Sequence, residues 1–80
     1  MKIRFYGRLA DLLGTEIDVA LARTCSVEEV KRILASSNPA AAEALANRRV
    51  RACIGDAIVA DQHDVAPDDE LEFLAPVSGG

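Results

Sequence analysis

The chain has 80 residues, half of them hydrophobic, with two phenylalanines, one tyrosine, no tryptophan and a net charge of −4. That length makes one small domain with a thin margin of buried surface, and the negative charge and scarce aromatics exclude a general nucleic-acid binder. No apolar run approaches the roughly 18 residues of a membrane span, and Met1-Lys2-Ile3-Arg4 opens no secretion signal, so the expected location is cytoplasmic, away from membranes.

Residues 2–6 alternate, with Ile3 and Phe5 on one side and Lys2, Arg4 and Tyr6 on the other. This is the pattern of a half-buried strand. Gly7 breaks it. Leu9, Leu12 and Leu13 then recur at helical spacing over Arg8 to Leu13, and Gly14 is placed to end that short helix. Thr15 to Leu21 alternates again, with Ile17, Val19 and Leu21 inward.

Ser26-Val27-Glu28-Glu29 reads as a capping box, Ser26 at the N-cap and Glu29 at the third helical position. The acids suit the positive end of the helix dipole. Val27, Val30, Ile33 and Leu34 form one apolar stripe, which makes this the main helix. It should stop near Ser36-Ser37, where Asn38 can cap a second short helix begun by Pro39. Ala40 to Ala46 favours helix but has little mass to bury.

Val50, Ala52 and Ile54 alternate with Arg51 and Cys53 as a third strand. Gly55-Asp56 turns the chain into a short fourth strand, Ala57-Ile58-Val59. Asp61 to Asp69 is polar around Val65, with a turn at Pro67-Asp68-Asp69. Glu70 to Leu74 closes the set, with Leu71 and Phe73 inward and Glu72 and Leu74 outward.

Chemistry-bearing side chains are sparse. Cys25 and Cys53 lack metal-ligand spacing. They leave a disulfide open, although a reducing compartment disfavours one. His63 has no ligand cluster around it, and no metal site is expected. No Ser/His/Asp set, phosphate-binding glycine loop or H-E-x-x-H pattern is present. Arg48, Arg49 and Arg51 cluster; a solvated loop and strand edge is the favoured reading, and a docking patch for an acidic partner is the alternative.

One amphipathic helix and about five strands predict a two-layer α+β domain over residues 1–75. If the first strand pairs with both its hairpin partner and the last strand, the fold is a mixed-sheet β-grasp roll of the ubiquitin-like kind. Tyr6 and Leu74 would then lie together on the outward face, with Ile58 able to join them. An exposed apolar patch there suggests a partner surface; a covering loop, or ordinary scattered apolars, is an equal reading.

Residues 76–80 are expected to form a flexible tail, Pro76-Val77-Ser78-Gly79-Gly80. A terminal glycine leaves its carboxylate unhindered, as adenylation requires, and the activated carbonyl is then open to a sulfur or nitrogen nucleophile. On the dipeptide alone, a frayed end or a cloning remnant is an equal reading.

Three stretches carry a resemblance over nearly the whole chain: Phe5-Tyr6-Gly7-Arg8-Leu9-Ala10-Asp11-Leu12-Leu13-Gly14, Asp68-Asp69-Glu70-Leu71 leading to Phe73, and the terminal Pro76-Val77-Ser78-Gly79-Gly80. Together they resemble the MoaD-type small subunits of molybdopterin synthase, which are ubiquitin-like sulfur carriers. Ala75 departs from the pattern, since the family usually has a second proline there.

The resemblance implies the following. A MoeB-type adenylyltransferase consumes ATP to adenylate the Gly80 carboxylate, and a persulfide donor converts it to a thiocarboxylate. Pro76 to Gly79 then insert into the MoaE-type large subunit, where sulfur passes to cyclic pyranopterin monophosphate in molybdenum cofactor biosynthesis. Two small and two large subunits form the heterotetramer. Tyr6, Ile58 and Leu74 match the family's partner-contact surface. No cofactor is bound permanently, and the chain is a carrier and co-substrate rather than an enzyme by itself. Extended, Ala75 to Gly80 reach about 20 Å, Pro76 limits the entropy lost on insertion, and Ser78 is the one polar side chain of the tail. The alternatives are a ThiS-type carrier for thiamine thiazole synthesis, a ubiquitin-like protein modifier joined to lysines through Gly80, and a plain interaction module.

Overall fold

The structure, a computed structural model, describes residues 1–74. The expected boundary between domain and tail, and every expectation for Ala75, Pro76, Val77, Ser78, Gly79 and Gly80, lie outside the described residues. In chain order the elements are β1 (Lys2–Tyr6), α1 (Arg8–Leu13), β2 (Glu16–Asp18), β3 (Cys25–Ser26), α2 (Val27–Ser37), a 3-10 turn (Pro39–Ala41) running into α3 (Ala42–Leu45), β4 (Arg51–Ile54), β5 (Ala57–Val59), β6 (Asp64–Val65) and β7 (Glu70–Leu74). Five strands form one mixed sheet in the order β2-β1-β7-β4-β5, and β3 pairs with β6 in a separate ribbon. β1 and β7 run parallel at the centre, and the other pairs are antiparallel. This is the β-grasp roll that the element order predicts.

Strand alternation sets the two faces. Ile3, Phe5, Ala52, Leu71 and Phe73 point into the core, and each is at most 1% exposed. The register places Ile3 beside Leu71 and Phe5 beside Phe73. The two phenyl rings stack with centroids 6.0 Å apart and planes 12° apart, within the favourable range for aromatic pairs. From below, α2 presents Val27, Val30 and Leu34, all buried, while Ile33 is half-buried at the margin of the stripe. Full burial of such a side chain contributes about 1.5–3 kcal/mol.

The caps agree with the sequence in part. Ser26 Oγ accepts the Glu29 N–H at 3.1 Å. The Glu29 carboxylate lies 3.7 Å from the Arg32 guanidinium, and no bond from it to the Ser26 N–H is present among the described residues, so half of the capping box forms. Asn38 departs from expectation. Its side chain does not cap the helix that follows; its Nδ2 donates back to the Leu34 carbonyl at 3.1 Å and closes α2. Pro39 does occupy the first position of the next turn.

Three further expectations are corrected. The second strand ends early. Its paired residues are Glu16, Ile17 and Asp18; Met1 and Val19 exchange backbone bonds at 2.7 and 2.8 Å just past the strand end, and Leu21 lies outside it. Val50 is buried but precedes β4, because its N–H is already donated to Asn47 O in a turn. Leu12 is 40% exposed, since in so short a helix Leu9 and Leu13, four apart, take the core-facing side.

Candidate functional site

Because β1 and β7 are parallel, they finish at the same end of the sheet. Tyr6 and Leu74 are register partners there, and Leu74 is also paired with Arg51 on its other side. All three are on the outward face, Tyr6 at 44% exposure and Leu74 at 37%. The chain continues from Leu74 into its last six residues at this point. Ile58 is the most exposed large apolar residue, at 65%. It stands opposite Cys53 on β5, two strands and one side-chain row from Leu74. Sheet spacings put that separation at about 12 Å. Tyr6 and Leu74 thus adjoin, while Ile58 is separated from them by Arg51 and Cys53. Cys53 points outward yet is only 8% exposed, flanked across the strands by Glu72 and Ile58.

The other half of this face is charged. Arg4 Nε lies 3.3 Å from Glu16 and its Nη1 lies 3.9 Å from Glu72. The Tyr6 hydroxyl donates to Glu72 Oε2 at 3.0 Å. That hydrogen bond, aided by partial burial and the Glu72 charge, raises the Tyr6 phenol above its ordinary value. The hydrogen bond to Glu16 likewise raises Arg4. The tyrosine is therefore a neutral, oriented ring at neutral pH.

Both cysteines are free thiols. Burial, followed by the Glu29 charge, pushes the Cys25 thiol up, away from the reactive thiolate. The His63 side chain is exposed, and its backbone carbonyl accepts the Val27 N–H at 3.0 Å. Among the described residues no group of His, Cys, Asp or Glu could hold a metal ion, and no helix is long and apolar enough to cross a membrane.

Two features of the site were missed by sequence reasoning. Arg51 adjoins Leu74 because β4 pairs with β7, a register that the alternation of one strand does not reveal. The Arg4, Glu72 and Tyr6 contacts depend on the same central pairing.

The fold defines the class: a ubiquitin-like β-grasp domain whose sheet exposes Tyr6, Ile58 and Leu74 on its outward face. The ThiS family model matches residues 3–80. The chain belongs to the ThiS family, and so to the ubiquitin-like sulfur carriers. It is 28% identical over 80 residues to the molybdopterin synthase sulfur carrier subunit of Escherichia coli K12, covering 100% of this chain and 99% of that one. Its structure is similar to the crystal structure of SAMP1 from Haloferax volcanii, with a TM-score of 0.82 and 22% identity, over 100% of this chain and 98% of that one.

Proposed function

We propose that this chain is the sulfur-carrier subunit of a molybdopterin synthase. The observation that carries the reading is the end-to-end match to the Escherichia coli carrier, together with a family match that runs through Gly80. In this scheme the Gly80 carboxylate attacks the α-phosphate of ATP and releases pyrophosphate. The terminal sulfur of a persulfide then attacks the acyl-adenylate, releases AMP and forms an acyl disulfide. A thiol cleaves the S–S bond, leaving the thiocarboxylate on Gly80 and a disulfide on the donor side. A MoeB-type adenylyltransferase supplies the first step.

Delivery belongs to a MoaE-type large subunit. Tyr6 and Leu74 dock outside its pocket while Pro76 to Gly80 enter it, and sulfur passes to cyclic pyranopterin monophosphate. Ser78 is the one polar side chain after Leu74, so acid–base groups come from the large subunit. The second reading, a ThiS-type carrier for thiamine thiazole synthesis, is favoured by the family name itself. Co-elution decides between them. The chain should form a complex with a molybdopterin synthase large subunit and leave a thiazole synthase unbound. Binding to the thiazole synthase alone would reverse the assignment.

A further inference from the structure

The sheet has two edges of different character. The β2 edge carries Glu16 and Asp18 among its three residues, the usual protection against unwanted pairing. The β5 edge, Ala57-Ile58-Val59, carries neither charge nor proline. Among the described residues it has β4 as its one neighbour, so a row of its backbone N–H and C=O groups faces away from the sheet. The two-residue loop before it, with Gly55 at φ 61, has the positive angle that a type II′ turn requires.

Beside that edge lies an open groove of about 710 Å³, bounded by α2, α3 and β5. Its helical wall is built from small side chains, Ala35, Ala42 and Ala46, with Leu45 and Val59 adding apolar surface. Two alanines of the Ala40 to Ala46 run, Ala42 and Ala46, thus leave room in the groove, while Ala41 is buried in the core. The rim carries Lys31, Arg32, Arg48 and Arg51 against Glu28 and Asp61, a positive surplus in a chain of net charge −4. Lys31 is held by Asp61 at 2.9 Å. Arg51 Nη1 donates to the Arg48 carbonyl at 2.7 Å, and neither Arg48 nor Arg51 has a carboxylate partner among the described residues.

We infer that this groove is a second docking site, which takes an extended segment of a partner protein with apolar side chains flanked by carboxylates. The segment adds to β5 as an additional strand, and its main chain pairs with the free edge. Alternate apolar side chains enter the alanine-lined groove, and the carboxylates meet Arg48 and Arg51. The site runs along the outer edge of β5 and shares Arg51 with the margin of the Tyr6 and Leu74 face; it does not rest on the sulfur-transfer reading.

The test is an amide chemical-shift titration of the isotope-labelled full chain with the peptide acetyl-Glu-Glu-Val-Leu-Val-Glu-amide. Saturable shifts should centre on Ile58, Val59, Ala60 and Arg48. The same peptide with lysine in place of each glutamate should bind far more weakly. The exposed pair Arg48→Glu and Arg51→Glu, checked for retained spectral dispersion, should weaken binding by about tenfold, the combined scale of two exposed charge pairs. Absence of saturable shifts, shifts centred on Tyr6 and Leu74, or equal binding of the lysine peptide would each overturn the proposal. The lysine comparison needs no variant, so a misfolded double mutant would not protect it.

Discussion

Gly14 holds φ 90 and ψ 170 at the end of α1, a region open in practice to glycine alone. A Cβ there would meet nothing within 4 Å, so Gly14→Ala should destabilise through backbone strain alone, by about 1–3 kcal/mol in denaturant unfolding. Leu74→Asp belongs to the same scale. Leu74 points outward beside Tyr6 and Arg51, so the variant should keep its fold and lose at least about tenfold in affinity for the large subunit. Unfolding of that variant would contradict the assigned face. For Cys25 the sign is simple: a raised thiol pKa lowers the thiolate fraction at neutral pH. Alkylation by iodoacetamide should be slower than for a free cysteine and accelerate as pH rises, with intact mass as the readout. The inward or outward sense of Ile3, Phe5, Tyr6, Phe73 and Leu74 was legible from alternation with period two. The neighbours of Tyr6 and Leu74 were not, because Glu72 and Arg51 reach them through pairing between strands distant in sequence.

At the scale of elements, α2 is fixed by its apolar stripe and by the Ser26 cap. Ser26→Ala should cost about 1 kcal/mol, measured as a fall in the unfolding midpoint with an unchanged denaturant slope. The stripe and Ser26 could be read directly because helix period and N-cap chemistry are local signals. The fate of Asn38 could not: one amide serves either the helix behind it or the one ahead, and here the Leu34 carbonyl takes it. The β3 and β6 ribbon was equally hidden. Two residues on each strand give no periodicity, and Cys25 pairs with Val65 across an interval that contains α2, α3, β4 and β5. Alternation ran past the end of β2: Val19 still bonds to Met1, while Leu21 lies outside the strand.

For the whole molecule, the order of elements constrained the topology strongly. A central parallel pair formed by the first and last strands brings Tyr6, Leu74 and the start of the last six residues to one end of the sheet. The groove beside β5 was not legible, since it arises from where α3, packed against α2, comes to lie near the β5 edge rather than from any one segment. Among the described residues, the buried hydrophobic core runs from Ile3 to Phe73. Gly80 has no side chain to bury, so deleting it, or adding a residue after it, should leave the thermal unfolding curve unchanged while abolishing sulfur transfer. A large loss of thermal stability would contradict that separation of fold from chemistry. The central claim is tested most directly on the chain bearing a Gly80 thiocarboxylate, prepared through an intein and mixed with a molybdopterin synthase large subunit and cyclic pyranopterin monophosphate. The account predicts that the intact mass falls by the difference between sulfur and oxygen only when the pterin is present, with molybdopterin formed. Retention of the sulfur beside a working control carrier would contradict it.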